Sequence, residues 1–295
     1  MKAWIEAFRL RTLPLSLSCI ILGTLLAASY SEFQWQTALW AFLTTLFLQI
    51  LSNLANDYGD GVKGTDNHER VGPARAIQSG AITHEAMKKA LYIFAGLSFL
   101  SGIILLWVSL NTWKEWAFFL VAGIGAIWAA IQYTVGKNAY GYKGMGDLFV
   151  LIFFGWMGTA GTFYLHANEL PWEIMLPATS IGFIAVAVLN LNNMRDRISD
   201  QKVGKRTLAV MLGEKKAKVY HATILFSAIF LSVVYISVRP TGVWQNLYLI
   251  VVPIFVVQIK KVMQNTEPKE LDPMLKQTAI SALLYSLLFG VGNLL

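Results

Sequence analysis

The chain has 295 residues, 56% of them hydrophobic and only 14% charged. A soluble domain carries about 25% charged residues, so this composition excludes an ordinary water-soluble globule and points to a polytopic α-helical membrane protein. The net charge of +7 comes with no basic stretch interleaved with stacking aromatics, so no nucleic acid is expected as a partner.

Strict alternation over strand-length segments is not evident, which argues against a transmembrane β-barrel. The single cysteine, Cys19, lies inside the first apolar run. No intrachain disulfide or cysteine metal site can form, and Cys19 reads as a small core residue.

Lys2 to Arg11 is short, basic and partly amphipathic, and Pro14 suits a helix start. Leu13 to Tyr30 follows as the first apolar segment. Its basic front and its Ala27-Ala28-Ser29 end resemble a secretory signal. Its apolar part is long and further spans follow, so a retained first helix is expected. The remaining segments are Trp35 to Asn56, Ala90 to Leu110, Ala117 to Thr134, Leu148 to Leu165, Ile174 to Asn193, Ala222 to Val238, Leu247 to Ile259 and Thr278 to Leu295. The expected fold is therefore an all-α bundle of about nine transmembrane helices, a single membrane-embedded domain over 1–295.

Counted over nine spans, all of the 24 lysines and arginines except Lys114 and Arg239 fall on one side. The positive-inside rule puts that side, with the N-terminus, in the cytoplasm. Tryptophans such as Trp4, Trp35, Trp113 and Trp172 lie near segment ends and read as interfacial anchors.

Two acidic stretches end even-numbered spans on the cytoplasmic side. The first, Asn53-Leu-Ala-Asn-Asp-Tyr-Gly-Asp-Gly-Val-Lys-Gly-Thr-Asp66, places Asp57, Asp60 and Asp66 at the mouth of the second span. Ionisable groups so near hydrocarbon are costly and mark functional sites. Asn56 and Asp60 share one helical face. Gly59, Gly61 and Gly64 are expected to break the helix and let backbone approach a ligand. The second stretch carries Asn192, Asp196 and Asp200 at i, i+4 and i+8. The motifs recur four spans apart, so spans one to four and five to eight read as two copies of one unit, with the ninth an addition.

A third element is Tyr133-Thr-Val-Gly-Lys137, whose Tyr133 and Lys137 are expected on one helical face. A glycine-rich turn follows, and Asp147 opens the fifth span, where the helix dipole favours an acid.

Carboxylate and amide oxygens on one membrane face suit a hard cation such as Mg²⁺, which takes few carboxylates together with waters and phosphate oxygens. The neighbours Arg70, Arg75, Lys137, Lys202, Lys205 and Arg206 are basic. Metal plus lysine and arginine is a combination that binds a diphosphate. Helix caps and solvated loop charges are the bland alternative. A diphosphate held above an apolar bundle points to a lipid diphosphate. Its allylic fragment would ionise to a carbocation, which needs a dry chamber and could lean on aromatic faces.

Asn56-Asp57-x-x-Asp60 with Asp66, Tyr133-x-x-x-Lys137 and Asn192-x-x-x-Asp196-x-x-x-Asp200 together resemble the UbiA superfamily of intramembrane aromatic prenyltransferases, over nearly the whole chain. The family's first motif usually has its last Asp four residues after the central one. Here that position is Gly64 and the acid comes at Asp66. Arg11-Thr-Leu-Pro14, Arg70-Val-Gly-Pro-Ala-Arg75, Gly141-Tyr-Lys-Gly-Met-Gly-Asp147 and Asn192-Asn-Met-Arg-Asp-Arg197 resemble the branch whose acceptor is 1,4-dihydroxy-2-naphthoate.

The resemblance implies Mg²⁺ on Asn56, Asp60, Asp66, Asn192, Asp196 and Asp200, holding a polyprenyl diphosphate whose tail lies among the helices, with membrane lipid as a further partner. It implies diphosphate contacts from Arg75, Lys137 and Lys205, and places Tyr133 near the allylic centre. Asp60, Asp196, Tyr133 and Lys137 would carry catalysis. Another aromatic acceptor such as 4-hydroxybenzoate stays open, as does a cation-coupled transporter with intramembrane acids.

Overall fold

The computed structural model describes residues 2–64 and 75–295. Asp66, His68 and Arg70 lie outside the described residues. A short helix α1 (Lys2–Phe8) bends by 50° into α2 (Leu13–Ser29). Then come α3 (Trp35–Val62), α4 (His84–Ser109), α5 (Trp113–Gln132), α6 (Gly146–Ala167), α7 (Met175–Lys202), α8 (Leu208–Val238), α9 (Val243–Gln264) and α10 (Leu271–Leu294). No strand occurs among the described residues. Eight described helices are long and apolar enough to cross a membrane, and the α1–α2 pair makes up to nine. The nine expected segments map one to one onto α2 through α10.

The helices overrun the apolar segments at the end that carries the acidic motifs. Helix α3 continues past Asn56 to Val62, and α7 continues past Asn193 to Lys202. Asp60, Asp196 and Asp200 therefore stand on helices, as their spacing implies. This corrects the reading of the glycines. A Cβ on Gly59 would sit 2.5 Å from Thr134 Oγ1, and one on Gly61 would sit 2.7 Å from Ile77 Cγ2. Both glycines lie inside α3 and let neighbouring segments approach closely. Gly64, at φ +68°, is the one that turns the chain off the helix.

Helix α7 is the central element. It packs most extensively on α8, and also on α6 and α10. Ile181, Ile184, Val186 and Ala187 are buried among Leu22, Phe163, Leu225, Phe255 and Phe289. A second core joins α3 and α4 through Leu51, Leu54, Met87 and Leu91. Helix α2 contacts both α3 and α10 and so joins the two halves. At the end opposite the acidic motifs the backbone N–H of Gln34 donates to buried His166 Nδ1 at 3.2 Å, and Gln34 Nε2 donates to the His166 carbonyl at 2.7 Å. Arg239 lies 3.6 Å over the Tyr30 ring. These contacts tie the helices together at that end.

Helix α6 is wound as a π-helix over Leu151–Gly161, a form often found at functional sites. It crosses α7 closely because small residues meet there. A Cβ on Gly182 would lie 2.7 Å from Leu151 Cδ1 and 3.0 Å from Gly155 Cα. Replacing Gly182→Val overpacks this crossing and is expected to cost about 1–3 kcal/mol. Thermal unfolding of detergent-solubilised protein should show the lowered midpoint; an unchanged midpoint would mean the crossing is loose.

Candidate active site

One cavity of about 1100 Å³ runs into the bundle. Asn56, Asp60, Asn192, Asp196 and Asp200 line its head, with Arg75, Arg195 and Lys205 among them. Ile20, Leu105, Leu106, Phe119 and Met157 line its body. Along α3 the lining runs from Asp60 to Ala41, about 28 Å at 1.5 Å per residue. That is close to the ~30 Å hydrocarbon thickness of a bilayer.

The head is built from the ends of α3 and α7 and the turns beside them. Asp60 accepts a hydrogen bond from the Tyr142 hydroxyl at 2.8 Å. The ammoniums of Lys63 and Lys205 lie 3.9 and 5.4 Å from the Tyr142 ring centroid. Lys205 Nζ is 3.4 Å from Asp200 Oδ1. Burial alone would lower the Lys205 pKa, but the carboxylates of Asp60 and Asp200 more than offset it and hold the ammonium above the ordinary lysine range. Lys205 therefore stays charged between the two helix ends.

Arg195 plays the matching part within α7. Its Nε and Nη2 donate to Asp196 Oδ1 and Oδ2 at 2.9 and 2.7 Å. Nη2 also donates to Asn192 Oδ1 at 2.8 Å, and Nη1 donates to Asp272 Oδ1 at 2.5 Å. Asp57 has a structural role. It is buried and accepts the backbone N–H groups of Ala76 and Ile77 at 3.0 and 3.3 Å, which seats the backbone next to Arg75. Asp147 accepts from Tyr220 at 3.0 Å and ties α6 to α8 outside the chamber lining.

The Tyr133–Lys137 expectation is corrected. Helix α5 ends at Gln132 and Gly136 takes φ +88°, so the chain leaves the helical path before Lys137. Tyr133 lines the chamber, whereas Lys137 is exposed and outside the lining. Tyr133 begins an aromatic row instead. Its ring meets Tyr140 edge-on at 5.4 Å, Tyr140 stacks on Phe149 at 3.9 Å, and Phe149 stacks on Phe153 at 6.1 Å. Lys202 and Arg206 are likewise not in the lining. Tyr142, Arg195 and Asp272 are site residues that sequence reasoning did not single out. Arg195 offered a signal, since it sits between Asn192 and Asp196. Asp272 offered none, because only the fold brings α10 to α7.

A hard divalent cation fits this head in a limited sense. Among the described residues no three acidic, histidine or cysteine side chains stand close enough to hold an ion alone. The available donors are all oxygens, and Asp200 Oδ2 is buried without a hydrogen-bond partner. Such a set suits an ion that completes its shell with amide, water and phosphate oxygens.

A membrane-spanning helical bundle enclosing a long chamber under a head of oxygens and cations defines the class: an intramembrane enzyme with a charged-headed chamber. The profile of the UbiA prenyltransferase family matches residues 16–287, and the chain belongs to that family. The 1,4-dihydroxy-2-naphthoate octaprenyltransferase of Escherichia coli (strain K12) is 46% identical over 291 residues, covering 99% of this chain and 94% of that one. The protein of the same name from Haemophilus influenzae is 43% identical over 298 residues, covering 100% and 96%. A UbiA homolog from Archaeoglobus fulgidus, solved bound to GPP and Mg²⁺, has a TM-score of 0.61 at 16% identity, covering 98% of this chain and 99% of that one. An apo UbiA homolog from Aeropyrum pernix K1 gives 0.69 at 16% identity, covering 95% and 96%. At such identities the solved structures show the shared fold.

Replacing Lys205→Met keeps much of the side-chain volume but removes the charge between Asp60 and Asp200. Prenyl-transfer turnover is expected to fall by about 100-fold. Turnover within a few-fold of the parent would show that Lys205 only balances local charge.

Proposed function

We propose that the protein transfers a polyprenyl group from a polyprenyl diphosphate to 1,4-dihydroxy-2-naphthoate with loss of CO₂, giving demethylmenaquinone in its quinol form, a step of menaquinone biosynthesis. The observation that carries this reading is the chamber. A head of oxygens and cations caps a long apolar body, in a chain 46% identical over nearly its full length to an enzyme named for that acceptor.

The site residues take the following roles. Asn56, Asp60, Asn192, Asp196 and Asp200 hold Mg²⁺, with Asp66 a further ligand. When bound, the ion draws off charge that develops on the leaving diphosphate. Arg75 and Lys205 bind diphosphate oxygens from the chamber wall. The apolar body takes the tail and excludes water from the allylic centre. Tyr133 and the row behind it present ring faces to the allylic cation. The electron-rich ring bonds C1, and the acceptor's carboxylate leaves as CO₂, returning its electron pair to the ring. The head faces the cytoplasm of the bacterial cell membrane, the side that holds nearly all lysines and arginines.

Membranes containing the protein, incubated with a labelled polyprenyl diphosphate and Mg²⁺, should label 1,4-dihydroxy-2-naphthoate and release CO₂. Chelation by EDTA should abolish the reaction, and so should Asp60→Asn or Asp196→Asn in protein that still inserts and purifies. Label on 4-hydroxybenzoate alone would reject the acceptor. Sidedness has its own check, because Cys19 is buried. A cysteine placed at exposed Lys137 should react with an impermeant maleimide in inverted vesicles and not in intact cells; the reverse would place the head outside.

A further inference from the structure

Arg195 stands between two carboxylates that belong to different surroundings. Inward it holds both oxygens of Asp196 and the amide oxygen of Asn192. Outward its Nη1 donates to Asp272 at 2.5 Å. The Arg195 side chain is 3% exposed and that of Asp196 9%, whereas that of Asp272 is 42% exposed. Asp272 lies in the first turn of α10, where the helix N-terminus favours a carboxylate. Both acids line the chamber.

This pairing conflicts with Asp196 as a metal ligand while Arg195 keeps its grip. A guanidinium that uses both oxygens of a carboxylate sits where a divalent cation would approach, and like charges at contact repel strongly in a buried site. The arginine cannot shed its proton, and it cannot be left buried without an anion. Among the described residues the only other carboxylate it touches is Asp272, half-exposed and already bonded to one arm of the fork.

We infer that Arg195 is a positioning residue that exchanges Asp196 for Asp272 when a divalent cation binds. In this structure it holds Asn192 and Asp196 in one arrangement on α7. As Asp196 turns to the ion, the guanidinium moves outward onto Asp272, which becomes its full counter-anion. Asp272 then sets how readily the head accepts metal, without touching metal or substrate. The inference rests on the reading of the head as a metal–diphosphate site.

The test is Mn²⁺ binding followed by electron paramagnetic resonance on purified protein with saturating geranyl S-thiolodiphosphate, which does not ionise. Asp272→Asn removes the receiving charge and is expected to raise the Mn²⁺ Kd about tenfold. Asp272→Glu keeps a carboxylate and should return it to within about twofold of the parent. Melting of the metal-free variants separates this from a structural role. A midpoint lowered in Asp272→Asn with an unmoved Kd would overturn the exchange and leave a plain structural ion pair. No Mn²⁺ binding by the parent protein would overturn the metal–diphosphate reading and the exchange with it.

Discussion

Charges at the mouth of an apolar chamber must find partners, or the helices that carry them cannot come together. Lys205 and Arg195 meet that demand. Lys205 lies between the end of α3, through Asp60, and the end of α7, through Asp200. Arg195 ties α7 to α10 through Asp196 and Asp272. The rest of the head depends on these two cations. Tyr142, in the turn after α5, bonds Asp60 with the ammoniums of Lys63 and Lys205 over its ring, and Asp57 anchors the backbone beside Arg75 from the same helix end. A ligand that enters this head replaces internal pairings rather than filling a neutral space.

Below the head the chemistry changes. Ile20, Leu105, Leu106, Phe119 and Met157 make the chamber body largely apolar, α3 adds uncharged Thr44, Thr45, Gln49 and Ser52, and the aromatic row from Tyr133 to Phe153 forms part of the wall. The π-wound stretch of α6 supplies Phe153 and Met157 to that wall while its Gly155 presses against α7. One charged end and one long greasy end in a continuous space suit an amphiphile of the same form. That is why membership of the prenyltransferase family and the shape of the site agree. The similarity to the octaprenyltransferases covers nearly the whole of both chains, so the same layout extends across all the helices that form the site.

Much of this was legible in the amino-acid sequence, because the bilayer imposes a length on every apolar run. All nine segments were found, and spacing singled out Asn56, Asp60, Asn192, Asp196 and Asp200, which line the head of the chamber. What escaped was decided by tertiary contact. Gly59 and Gly61 read as breaks, yet they are spacers against Thr134 and Ile77. Lys137 falls at helical spacing from Tyr133, but Gly136 in the left-handed region diverts the chain. The apolar segments stop at Asn56 and Asn193 because the residues beyond them are polar, although α3 and α7 run on to Val62 and Lys202 and their side chains pair across the head. Arg195 passed for one of many cytoplasmic arginines, since nothing local shows that α10 delivers Asp272 to it. The body of the chamber could not be listed from the sequence at all, because its wall is drawn from many helices.

The central claim is that the ends of α3 and α7 together grip the diphosphate through a divalent cation while the tail lies in the chamber. An experimental structure with geranyl S-thiolodiphosphate and Mn²⁺, read by the anomalous scattering of manganese, tests it most directly. The expected result is manganese at the head, in contact with oxygens of both the Asn56–Asp60 and the Asn192–Asp200 clusters, with the geranyl chain along the apolar body. Manganese bound by one cluster alone or elsewhere, or a prenyl chain lying outside the chamber, would contradict it.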